Sequence, residues 1–429
     1  MTVRRQLLAG AALTMLLATT AACGLSKHGG GTSNLAVWHE LAGSGNEAVN
    51  TLVDGFNDKH PDTTFTTRQI ADSEVNSVLR TGLAGNNPPA IVQYEGYQQT
   101  ADYAKAGQLT DITAWWRKHK DAFSFADNQA VRDACEYRGK MYCIPWDMYS
   151  SNQLFYNPAL LKKYGLRLPA TTADLAADAR KLKGTGVNTV SLYSSEGWPA
   201  GQWWYLLSVQ RCGIDRVRAA AAQHGASWSD PCFTAAAKDL YDLGRAGVFP
   251  SGVAGSDYNA QMSLFLSGKA VFMNTGTWFY QTMAENRPSI KVAATPFPQA
   301  DPKHPSTQLL GGLTEVFGIP AHAGNKDAAY RFLDYMAQRR SGELFAKASV
   351  MNMVKGANDT LPATLKPTWK TVHTELDKPG NNIVSYFENL VAPGVGEDAM
   401  YNGATAVAAG TMTPRQFTAK VQAAAAGAR

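Results

Sequence analysis

The sequence predicts an α/β fold built as two lobes, and three observations carry that expectation. Short apolar runs and amphipathic stretches alternate in the order β-α-β-α-β over the first quarter of the chain. The alternation resumes after Asp174. The roughly 400 residues beyond an N-terminal export signal exceed what one hydrophobic core ordinarily serves. A β-α-β-α-β series argues a parallel sheet covered on both faces.

Taken in order, Leu35 to Trp38 is a short apolar run that reads as a buried strand. Glu47 to Lys59 places Val49, Leu52, Val53 and Phe56 on one face at helical spacing, and Pro61 stops it. Thr63 to Ile70 is β-branched and alternates in character, as a strand does. Val75, Val78, Leu79 and Leu83 mark a second helix, ended by Gly85 and Pro88-Pro89. Ala90 to Tyr94 is the third strand, and Tyr97 to Ala106 the next helix, with Gly107 as its stop. Later, Asp174 to Leu182 and Cys232 to Gly244 read as helices. Val187 to Tyr193, Ala270 to Asn274, Lys291 to Pro296 and Val316 to Pro320 read as strands. Lys326 to Gln338 is amphipathic through Ala329, Phe332, Leu333 and Met336. No repeat of fixed period is visible.

The N-terminus has the layout of a secretory signal over residues 1–22: Arg4 and Arg5, an apolar run from Leu7 to Leu17, then small residues up to Ala22. That run falls short of the ~20 apolar residues a membrane-spanning helix needs. Cys23 directly follows the small residues, as a lipid-modified first residue of a bacterial lipoprotein does; cleavage near Ala22 with a free thiol is the competing reading. Residues 23–33 read as a flexible tether. Cys135, Cys143, Cys212 and Cys232 remain, an even number in an exported chain, and three pairings are formally possible. The sequential pairing, Cys135 with Cys143 and Cys212 with Cys232, closes the shortest loops.

Two of the 40 basic residues and none of the 35 acidic ones lie in 1–22, so 38 face 35 in the exported chain. That balance gives no reason to expect nucleic acid. No metal-ligand spacing occurs around the cysteines, and no organic cofactor is implied. Gly43-Ser44-Gly45-Asn46-Glu47-Ala48 imitates a dinucleotide fingerprint. Four residues separate it from the strand, where the fingerprint needs an immediate turn, so it reads as a loop capping the helix near Glu47. Nothing resembling HExxH, GxSxG or a P-loop is present. Paired carboxylates for glycoside hydrolysis are not visible in a sequence, because their separation is spatial.

Several stretches, in their order and spacing, resemble a known family. They are Trp38; Phe56-Asn57-Asp58-Lys59-His60-Pro61; Pro88-Pro89-Ala90-Ile91-Val92-Gln93; and Tyr103 to Leu109. Tyr142 through Ile144-Pro145 to Tyr156-Asn157, Phe265 to Ala270, Asn274 to Trp278, Gly311-Gly312 and Phe317 to Pro320 continue the series. Together they look like the extracellular solute-binding proteins, family 1, of carbohydrate ABC importers. The resemblance implies two α/β lobes of the maltose-binding-protein type. Hinge crossings are expected near Asp147–Gln153, Leu309–Thr314 and Trp369–Glu375. One lobe would hold 34–146 and 314–370, the other 152–308 and 375–429. It also implies a monomeric receptor outside the membrane, held by lipidated Cys23, that hands its ligand to the importer's permease subunits.

A sugar has a hydroxyl-bearing edge and an apolar C–H face, so its site needs carboxylates or amides for the edge and flat aromatics for the face. With ten Trp and seventeen Tyr the chain is well supplied with the latter. Loops at strand ends that match the family's ligand-contacting loops put forward Trp38, His39, Glu40, Tyr94, Glu95, Trp146, Asp147, Trp198, Trp203, Gly311, Gly312 and Asn352. Trp278 is the foremost platform. Glu95 reads equally as a helix-start acid favoured by the dipole. The glycerol-phosphate binders of the family this chain resembles carry a basic residue near the end, whereas 385–396 here contains no Arg or Lys. The resemblance therefore implies a neutral mono- or oligosaccharide rather than a phosphorylated ligand. The alternatives are a polyol, peptide or phosphodiester binder, or, in another class, a surface glycoside hydrolase.

Overall fold

The computed structural model describes residues 35–286, 288–303, 308–378, 383–392 and 394–428. The signal segment, Cys23 and the tether lie outside the described residues. Among these, thirteen strands occur: β1 (Ala36–His39), β2 (Thr66–Gln69), β3 (Ile91–Tyr94), β4 (Glu136–Tyr137), β5 (Lys140–Met141), β6 (Cys143–Ser150) and β7 (Gln153–Tyr156), followed by β8 (Asn188–Ser191), β9 (Ala270–Asn274), β10 (Ala293–Pro296), β11 (Leu309–Gly318), β12 (Met351–Asn352) and β13 (Ile383–Val384).

They form two main sheets. The first runs β12-β6-β11-β3-β1-β2, with β13 beside β11; the second runs β10-β7-β9-β8. β1 is parallel to β2 and β3 as expected, but β11 is antiparallel to both β3 and β6. The first sheet is therefore mixed rather than parallel. β6 runs with β3, whereas β11 and the short β12 and β13 run against the β-α-β direction; β6 and β11 are the strands that also run toward the other half.

Each half has its own core. The first gathers Val49, Leu52, Val53 and Phe56 of the helix Gly43–Asn57 with Ile91, Val92, Phe317, Phe332 and Leu333. The second is organised around the helix Trp198–Cys212, whose residues Pro199 to Val209 are all buried, so apolar groups surround it rather than line one stripe. β6 contributes Ile144, Trp146 and Met148 to the first core, and four residues beyond its end Leu154, on β7, belongs to the second. β11 likewise sends Leu310 into the second core and Leu313, Val316 and Phe317 into the first. Bridges Cys135–Cys143 and Cys212–Cys232 are present, one in each half.

Two expectations need correction. The third crossing was placed at Trp369–Glu375, but Lys366–Asp377 is one helix, with Val372 and Leu376 in the first core. The chain reaches the second core only at Val384. The first helix begins at Gly43, not near Glu47, so the glycine turn belongs to the helix itself. Its N-cap is Ala42, with no side-chain cap and no acid in the first turn. The missing acid comes from far along the chain: the Ser44 N–H donates to the Glu285 carboxylate. Gly43 has φ +54°, and a Cβ there would collide with that carboxylate.

Candidate functional site

Where the halves meet, a polar row on the first sheet adjoins an aromatic cluster made by Tyr149 of β6 with Trp198, Tyr258, Trp278 and Tyr386. The row follows from strand register, since residues paired across neighbouring strands project from the same face. Asp147 on β6 pairs with Glu315 on β11 and with Asn352 on β12. Asn352 Nδ2 donates to Asp147 Oδ1 at 3.4 Å, and Gln93 Nε2 on β3 donates to Glu315 Oε2 at 2.7 Å. The Glu40 N–H, just beyond β1, donates to Gln93 Oε1 at 3.0 Å. Amides and carboxylates thus run from Asn352 through Asp147, Glu315 and Gln93 to Glu40. Burial pushes the Asp147 carboxyl well above the usual carboxylate range, against the Asn352 hydrogen bond. Its Oδ2 is buried with no protein partner.

The aromatic side is centred on Trp278, which is half-buried. Gly276 makes its position possible, because a Cβ there would lie 1.9 Å from the indole. Trp278 Nε1 donates to Tyr258 Oη at 3.1 Å, and that hydroxyl lies 2.8 Å from Thr275 Oγ1. Rings of Tyr149, Trp198 and Tyr386 stand 5.8, 5.8 and 6.3 Å from Trp278, centroid to centroid. The cluster is pinned from behind by an amide network. Tyr386 Oη meets Ser151 Oγ at 2.6 Å, Ser151 donates to Gln202 Oε1 at 3.1 Å, and Gln202 donates to Asn274 Oδ1 at 2.8 Å.

Acidic groups of the first half act on these hydroxyls. Burial, then Glu315, Asp147 and Glu40, raises the Tyr149 hydroxyl well above its ordinary pKa. Burial, with Glu388, Glu95 and Glu315 behind it, does the same for Tyr386. Glu388 completes the far side, and burial raises its carboxyl from 4.5 to about 7 against the effect of the neighbouring Tyr401 and Tyr205 hydroxyls. Such a floor of hydrogen-bonding carboxyls and amides beside a ring cluster can hold a molecule with a hydroxylated edge and an apolar face.

The junction brings together Glu40, Glu95, Asp147, Asn352, Trp198 and Trp278 of the residues singled out from sequence. The others require correction. Trp38 points to the opposite face of its sheet, its indole beneath the Arg68 guanidinium at 4.5 Å and against Gly82. His39 is the exception: Trp38 pairs with Val92, which puts His39 opposite Gln93 on the face of the row, fully buried like Asp147 and Asn352, and burial lowers its pKa to about 4. Tyr94 is core, edge-on to Tyr103 at 5.7 Å. Trp146 is enclosed between Phe317 and Phe345, and Trp203 between Phe249 and Phe297. Gly311 and Gly312 make room for the Tyr149 carbonyl and the Tyr97 hydroxyl, which would lie 2.2 and 2.6 Å from a Cβ, rather than for a ligand.

Sequence reasoning passed over Gln93, Tyr149, Tyr258, Glu315, Tyr386 and Glu388. Two of these did leave a signal: Gln93 and Glu315 are polar residues interrupting otherwise apolar strands, and a satisfied polar side chain in such a place has to meet something.

Comparison with known proteins gives the same picture. The family model of bacterial extracellular solute-binding proteins matches residues 42–342. An uncharacterized ABC transporter extracellular-binding protein of Pyrococcus horikoshii is 24% identical over 332 residues, 75% of this chain and 70% of that protein. A solved structure described under xylan utilization by the thermophilic bacterium Caldanaerobius polysaccharolyticus superimposes with a TM-score of 0.79 at 20% identity, covering 91% of this chain and 99% of the other. A chitin oligosaccharide binding protein gives 0.78 at 21% identity, covering 92% and 98%.

Proposed function

Since the chain belongs to the bacterial extracellular solute-binding protein family, we propose that it is the receptor of an ABC importer and captures a neutral carbohydrate, chemically unchanged, between its two halves. The observation that carries this reading is the polar row Asn352–Asp147–Glu315–Gln93–Glu40 beside the Trp278 cluster. The names of similar proteins support it, since one binds chitin oligosaccharides and another belongs to an ABC transporter. In this reading one lobe holds 34–146 and 314–377 and the other 152–308 and 384–429, the last crossing lying beyond Asp377. Ligand shifts an open–closed equilibrium through its greater affinity for the closed form, and that form docks on the permease subunits. Lipidated Cys23 anchors the receptor at the outer face of the membrane, the tether to 33 setting it off from the surface.

Calorimetry of the whole chain against neutral saccharides, with chromatography of the recovered sugar, tests the reading. One equivalent bound and recovered intact is expected. Multiple turnovers would replace it with a hydrolase, and preference for a sugar phosphate would overturn the neutral-ligand assignment. Labelling with palmitate should be lost in Cys23→Ser; labelling that persists removes the anchor.

A further inference from the structure

We propose that the helix Phe279–Asn286 is a latch that seats on the glycine turn Gly43-Ser44-Gly45 when the halves meet, with Gln281 as the positioning residue that ties this seat to the aromatic cluster. The inference rests on the carbohydrate reading above. It concerns what holds a captured sugar in place, not which sugar is captured.

Three observations support it. The first is where the helix starts. It follows Trp278 directly, and the Gln281 N–H donates to the Trp278 carbonyl at 3.0 Å. The loop before it is tied to the end of β6: the Thr277 N–H donates to the Ser150 carbonyl at 3.0 Å, and the Ser150 N–H to Thr277 Oγ1 at 3.2 Å. A helix begun on the platform residue moves with it.

The second is the fit. Gln281 and Glu285 are four residues apart, so they share one face of their helix. Both meet the glycine turn. A Cβ at Gly43 would collide with the Glu285 carboxylate, and one at Gly45 would lie 3.0 Å from Gln281 Oε1. Between them the Ser44 N–H donates to Glu285, and Ser44 Oγ donates to the Ala348 carbonyl at 3.0 Å. Glycine is a poor helix former. Two of them in the first three residues of a helix make sense here because side chains of the other half occupy their space. The turn that imitates a dinucleotide fingerprint is thus built to receive another part of the same chain.

The third is the Gln281 amide. The side chain is buried, and Nε2 donates to Tyr149 Oη at 3.3 Å, the ring 5.8 Å from Trp278. Its oxygen faces the Gly45 turn. Tyr149 and Gly45 both belong to the first half, whereas Gln281 follows β9 of the second sheet. These contacts exist only while the halves are together. A sugar lodged on Trp278 and Tyr149 steadies the two rings that Gln281 links, and leaving requires the latch to lift.

The test is calorimetry and stopped-flow kinetics of the whole chain with xylobiose, maltose, raffinose and chitobiose, following whichever binds. Gln281→Met keeps the side chain's length without its amide, and Gly45→Leu fills the seat from the opposite half. Circular dichroism confirms that each is folded. Each should release sugar about tenfold faster than the native chain, with association changed less than about threefold. The double variant should be little faster than either single one, because both changes break one contact. Hydrogen exchange at the Ser44 N–H should slow markedly when sugar saturates the native chain, and much less in Gln281→Met. Native release rates in both single variants, or Ser44 exchange indifferent to sugar in the native chain, overturn the latch and leave the carbohydrate reading standing. Failure of all four sugars to bind the native chain removes that reading and the latch with it.

Discussion

The two halves contribute to one junction by opposite means. The first offers a line of carboxyls and amides placed by strand register, with hydrogen bonds joining Asn352 to Asp147, Gln93 to Glu315 and the Glu40 N–H to Gln93. The second offers rings gathered on loops and helix starts, whose placement depends on a glycine under Trp278 and on amides behind Tyr386. Register leaves little freedom, so the polar side is rigid and directional. The aromatic side is broad and tolerant. Directional groups set which hydroxyls are read, whereas ring faces supply most of the contact energy.

That division can be broken first on the aromatic side. Trp278→Ala should lower saccharide affinity about 100-fold, of the order of the ~2 kcal/mol or more of a central anchor. Its thermal midpoint should change little, because the ring is only half-buried. Unchanged affinity in the folded variant would leave the cluster without its role. On the polar side, Glu315→Gln keeps the shape but weakens the acceptor in the row. It should cost about tenfold in affinity, consistent with ~1.5 kcal/mol for a charged hydrogen bond. Asp147→Asn should cost less than Glu315→Gln, since burial already disfavours the charge on Asp147; the reverse order in calorimetry would contradict that effect of burial.

A smaller effect is expected from the clasp across the junction. Glu285 caps the helix Gly43–Asn57 from the far side, and losing a cap costs about 1 kcal/mol. Glu285→Ala should therefore weaken binding roughly fivefold by disfavouring closure, although the residue lies outside the polar row and the aromatic cluster. Scattering should report a larger radius of gyration at subsaturating ligand; identical curves would confine Glu285 to local stability.

The smallest effect concerns pH. Glu388 titrates at about 7 in the folded chain against 4.5 ordinarily, so between those values the unfolded chain has released a proton that the folded one keeps. Stability must fall as pH rises through that window and level off above it. Glu388→Gln should flatten the fall, with melting temperatures a few degrees above the native chain at pH 7.5 and equal to it near pH 4. Parallel pH profiles would mean that Glu388 is solvated.

Much of the fold was legible because apolar periodicity reports burial directly. Ala329, Phe332, Leu333 and Met336 mark the helix Lys326–Met336, and all are buried. The mixed sheet was not, since strand direction depends on partners distant in sequence. The site was legible in part. Within Trp146-Asp147 and Gln93-Tyr94 only one neighbour of each pair can face the junction, because a strand alternates its sides. Trp146 and Asp147 were both put forward, and Tyr94 without Gln93, yet it is Asp147 and Gln93 that face it. Trp203 was misplaced for a related reason: its helix is buried all round, and aromatic content alone does not separate a platform from a core. Tyr386 and Glu388 lie far along the chain from Trp278, beside no motif, and only folding brings them close.

The location of the bound sugar tests the central claim most directly. In a crystal structure with a bound saccharide, the sugar should lie with one face on the Trp278 indole and hydroxyls on Gln93, Glu315 and Asp147. Density for the sugar elsewhere, with the space between the row and the rings closed by side chains, would contradict it.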